Sequence, residues 1–71
     1  MKNPRTPEEW QEAVDLANFG LIVDAARQYG LITGGPVFAL KRCNDLLARG
    51  AKKGFRPQKG SEDKLLREFS A

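Results

Sequence analysis

The chain has no histidine, and its 71 residues include only one cysteine, one tryptophan, one tyrosine and one methionine. Without histidine it lacks the usual proton shuttle and the commonest metal ligand. The single Cys43 excludes an intramolecular disulfide framework and a multi-cysteine zinc site. It also has no histidine to activate it as a nucleophile, so a small buried core residue is the expectation. Nothing staples the chain covalently, which fits a reducing, cytoplasmic setting. Long hydrophobic runs are missing too. The longest nearly apolar stretch, residues 16–26, is interrupted by Asn18 and Asp24 and is far shorter than the ~20 residues a membrane span requires. Residues 1–11 are polar and carry two prolines, with no apolar stretch behind a basic start of the kind that marks secretion. No membrane association is expected. Phosphate loops of the Walker type, the dinucleotide fingerprint G-x-G-x-x-G and the zinc motif H-E-x-x-H are all absent. No catalytic residue, cofactor or metal is therefore expected.

The length allows one domain, residues 1–71, and a small one. Burial of apolar surface on folding is worth ~105 kcal/mol, against ~107 kcal/mol for ordering the chain. The near cancellation predicts a marginal monomer that leans on a partner or on its own dimer.

The pattern predicts an all-α fold: two main helices, about 7–29 and 36–53, and a short C-terminal helix, about 62–70. Thr6, Pro7 and Glu9 spell a capped helix start, after an arm, 1–5, expected to be disordered. Gly30 supplies a left-handed stop, with Leu31 free to pack back on Ala26. Within the first helix the apolar face reverses. Trp10, Ala13, Val14, Ala17 and Leu21 share one side, whereas Phe19, Ile22, Val23, Ala26 and Tyr29 lie on the side that was polar. Either the helix breaks near Gly20 or its middle is wrapped on several sides, and wrapping is favoured because no proline or strong second cap interrupts it. Pro36 suits the first position of the second helix, whose stripe is Ala39, Leu40, Cys43, Leu46, Leu47 and Gly50. Either Gly50 or Gly54 ends it. Residues 54–60 read as a basic loop, and Ser61 as the cap of the last helix. Trp10, Val14, Ala17, Leu21, Ile22, Leu40, Cys43 and Leu47 are the expected core.

The net charge of +3 is uneven. Residues 1–35 hold three bases against five acids (−2), and residues 36–71 hold nine against four (+5). Helix electrostatics explain part of this, since acids suit a first turn and bases a last turn. The same asymmetry makes Lys41, Arg42, Arg49, Lys52, Lys53, Arg56 and Lys59 candidate nucleic-acid contacts. The spacing of Ala26 and Gly30 ahead of a basic helix resembles the helix-turn-helix of DNA-binding proteins. Gly34, Gly35 and Pro36 delay the second helix by about three residues relative to that unit, and no family is assigned. The expected function is a non-enzymatic helical protein-interaction module that self-associates through Phe19, Val23 and Tyr29. Its partner is another protein chain or a second copy. A small DNA- or RNA-binding protein, using the basic face of the second helix and the 55–60 loop, is the alternative.

Overall fold

The computed structural model describes residues 3–63 and 67. It is an all-α bundle of two main helices, α1 (Pro7–Gln28) and α2 (Leu40–Lys52), with the start of a short third helix at 61–63. Most of the expected last helix, including Leu65, Leu66 and Phe69, lies outside the described residues.

The start of α1 follows from its local sequence. The Thr6 hydroxyl accepts from the Glu9 amide at 3.1 Å, and the Glu9 carboxylate accepts from the Thr6 amide at 3.0 Å. Together they satisfy two donors that the first turn leaves over. Its end is equally local. Gly30 takes φ +73, the Leu31 amide returns to the Ala26 carbonyl at 2.9 Å, and the Gly30 amide returns to Arg27 at 3.0 Å. This paired bonding closes the last turn. α2 ends in the same way: Phe55 donates to Gly50 at 2.9 Å and Gly54 to Ala51 at 3.1 Å, with Gly54 at φ +90. Gly54, not Gly50, is the stop.

α1 runs unbroken through Gly20. Its two apolar faces are both used: Trp10, Val14 and Ala17 are buried on one side, and Phe19 and Val23 on the other. The helices pack antiparallel, and two glycines set how closely they approach. A β-carbon added at Gly20 would lie 2.8 Å from the Phe38 ring and 3.1 Å from Cys43 Sγ. One added at Gly50 would collide with a methyl of Val14. The core between them is Trp10, Val14, Ala17, Cys43 and Leu46. Leu46, on the expected stripe but not in the expected core, is fully buried, whereas the expected Leu21, Leu40 and Leu47 are half-buried and Ile22 is exposed.

α2 begins at Leu40 rather than Pro36. Residues 35–39 stay out of the helix, and Phe38 sets its ring edge-on to Phe19, with centroids 6.0 Å apart, over Gly20. The carbonyls of Gly34 and Pro36 accept from the two terminal guanidinium nitrogens of Arg27. Packing of Phe38 and the Arg27 fork thus decide this boundary, and the helix signal at Pro36 is overridden.

At the opposite end, the segment after α2 is fastened to α1. Phe55 stacks on Trp10 with centroids 6.4 Å apart and 13° between the rings. Gln11 donates to the Arg56 carbonyl at 2.7 Å, and the Gln58 amide donates to Asp15 at 2.8 Å.

Candidate functional site

Four of the seven basic candidates are engaged within the fold. Arg42 donates to the Asn3 side chain at 2.7 Å, which ties the segment before α1 to the first turn of α2. Arg49 pairs with Asp45 at 3.3 Å on an open surface and lies 5.7 Å from the centre of the Trp10 ring. Lys53 approaches the same ring at 5.3 Å. Attraction of a cation to an indole face holds both over the end of the core. Arg56 donates to the carbonyl of Ala51, in the last turn of α2, and to that of Phe55 just beyond it. Lys41, Lys52 and Lys59 are exposed and have no hydrogen-bond or ion-pair partner among the described residues. The basic region is therefore partly a structural device that finishes α2, with three lysines left facing solvent.

The apolar candidates divide differently. Phe19 and Val23 are 2% and 6% exposed, so the fold covers the patch they were expected to form; Tyr29, the third member, is 82% exposed. The reason is the wrapping of α1: Phe38, from the segment before α2, closes over Phe19.

Exposed apolar surface lies elsewhere. Leu31 is 77% exposed and Val37 91%, and Ile32 is also exposed. With Tyr29 they project from the segment 29–37, which joins the helices at one end of the bundle. That segment is not slack. Gly30 turns it back on the last turn of α1, and the Arg27 fork bonds it at Gly34 and Pro36. The cap contacts and the fork hold the connection that carries these four exposed apolar side chains. Sequence reasoning gave Leu31 to packing back on Ala26, which its exposure contradicts, and passed over Ile32 and Val37. The available signal was the absence of any charged residue from 28 to 40 in a chain that is 30% charged.

Cys43 is buried against α1, and burial pushes its thiol pKa up, the opposite of what an attacking thiolate needs. No group of three or more metal-ligating side chains occurs among the described residues, and no helix among them is long and apolar enough to cross a membrane. No protein-family model, no curated protein and no solved structure matches this chain.

Proposed function

We propose that this chain is a non-enzymatic, cytoplasmic helical interaction module that presents segment 29–37 to another protein chain. One observation carries the proposal. Tyr29, Leu31, Ile32 and Val37 are exposed together on a connection that Arg27 and the Gly30 turn hold in place. Single exposed apolar residues need no explanation, but a cluster of them on a small protein is the usual mark of an interaction site. A connection already ordered before binding loses little entropy when it docks.

A second reading draws on the basic side. Lys41, Lys52 and Lys59 are unpaired among the described residues, and the one acid between 41 and 59, Asp45, is taken by Arg49. Such a surface would neutralise phosphates without reading bases, and its affinity would fall steeply as salt rises.

Site-specific photo-crosslinking in the producing cell separates the two. A photoreactive phenylalanine analogue at Val37 should give protein adducts, while one at Lys52 should give none. Nuclease-sensitive adducts from position 52, with none from position 37, would reverse the assignment.

A further inference from the structure

We infer that the chain docked on segment 29–37 is a second copy of this protein, related by a two-fold axis. The inference rests on the interaction reading above and adds the identity of the partner. Its first ground is charge. A two-fold contact sets a surface patch against itself, so any charge near the axis meets its like. Residues 28–40 carry no charge of their own. The flanking Arg27 has its guanidinium bonded to the carbonyls of Gly34 and Pro36, and Lys41 lies beyond the connection in α2. The exposed apolar side chains themselves therefore bring no charge to the axis.

The second ground is where the charge does lie. Arg49 and Lys53 lie over Trp10 at the far end of the antiparallel pair, and Lys52, Arg56 and Lys59 belong to the end of α2 and the segment that follows it. The body is 34 Å long. Contact through the connection therefore keeps the two most basic ends apart, whereas an acidic partner would be steered to the basic end instead.

The third ground is area. The exposure of Tyr29, Leu31, Ile32 and Val37 leaves on the order of 500 Å² of surface per chain, or about 1,000 Å² for the pair when all of it is covered, the size of a weak, transient interface. The expected dimer is weak and dissociates on dilution.

Molecular mass by light scattering, measured from about 5 to about 500 μM, tests this. Wild type should move from the mass of one chain towards twofold higher across that range. Leu31→Lys and Val37→Lys should remain at the mass of one chain at every concentration. Both positions face solvent, so the far-ultraviolet circular dichroism of the variants should match wild type, and Lys52→Gln at the other end should dimerise normally. Wild type at the mass of one chain at the highest concentration would overturn the inference, as would a dimer that survives both lysine substitutions. If wild type stays monomeric while position 37 crosslinks to a different protein in the cell, the second copy is rejected and the interaction reading stands. Monomeric wild type with no adduct from position 37 rejects both.

Discussion

Gly50 stands where α2 packs on α1, and Val14 fills the space its side chain would need. Gly50→Ala should lower stability by about 1–3 kcal/mol, because a packed core resists even one added methyl. The loss would appear as a lower urea midpoint with an unchanged slope. Cys43 offers a test on the pH axis. Burial raises its thiol pKa above the ordinary 9.0, so the folded state favours the neutral form. The stabilisation is complete below the unfolded value and is lost as pH rises through the folded one. The urea midpoint should therefore fall on the alkaline side of pH 9, and Cys43→Ala should remove that part of the decline.

At the scale of the helices, both ends of α1 and the end of α2 rest on a few adjacent residues. Thr6→Ala removes an acceptor that the first turn needs and should cost about 1 kcal/mol, read from thermal unfolding. Leu46, fully buried at the centre of the α2 stripe, is the stronger case: Leu46→Ala should cost about 2–5 kcal/mol and leave little folded protein. The caps of α1 and the stripe of α2 were legible beforehand because capping and periodicity are written within a few residues of where they act. Which stripe residue is most buried, Leu46 rather than the expected Leu40 or Leu47, and which glycine ends α2 were not. Nor was the start of α2. Pro36 and the preceding glycines look like a helix start, but Phe38 reaches Gly20 and Arg27 holds two carbonyls of the connection. Contacts between residues distant along the chain leave no such local mark. The same limit explains Phe19 and Val23. Their apolar character was plain, but what covers them depends on how α1 is wrapped. Of the surface now assigned to docking, only Tyr29 was identified from the pattern. Leu31, Ile32 and Val37 sit in a connection where helical periodicity carries no information.

Across the whole molecule, the contacts that close the fold join residues far apart in the chain. Trp10 meets Phe55, Gln11 meets the Arg56 carbonyl, and Asp15 meets the Gln58 amide. The single tryptophan sits on that closure, so its emission reports the meeting of the start of α1 with the segment after α2. Emission and helical circular dichroism should therefore change at the same urea concentration, as in a two-state transition. Two separate midpoints would mean that α1 outlives the closure.

The charge-free connection also leaves a mark on any digestion map. Trypsin cuts only after lysine or arginine, and none occurs between Arg27 and Lys41. In the native chain the guanidinium of Arg27 is already committed to Gly34 and Pro36, which slows cleavage there until the fold opens. The unfolded protein then yields the entire connection as one peptide, residues 28–41, separate from every peptide of the basic end. Oxidation of its Tyr29 before digestion records in one mass whether that end of the molecule was open to solvent or covered.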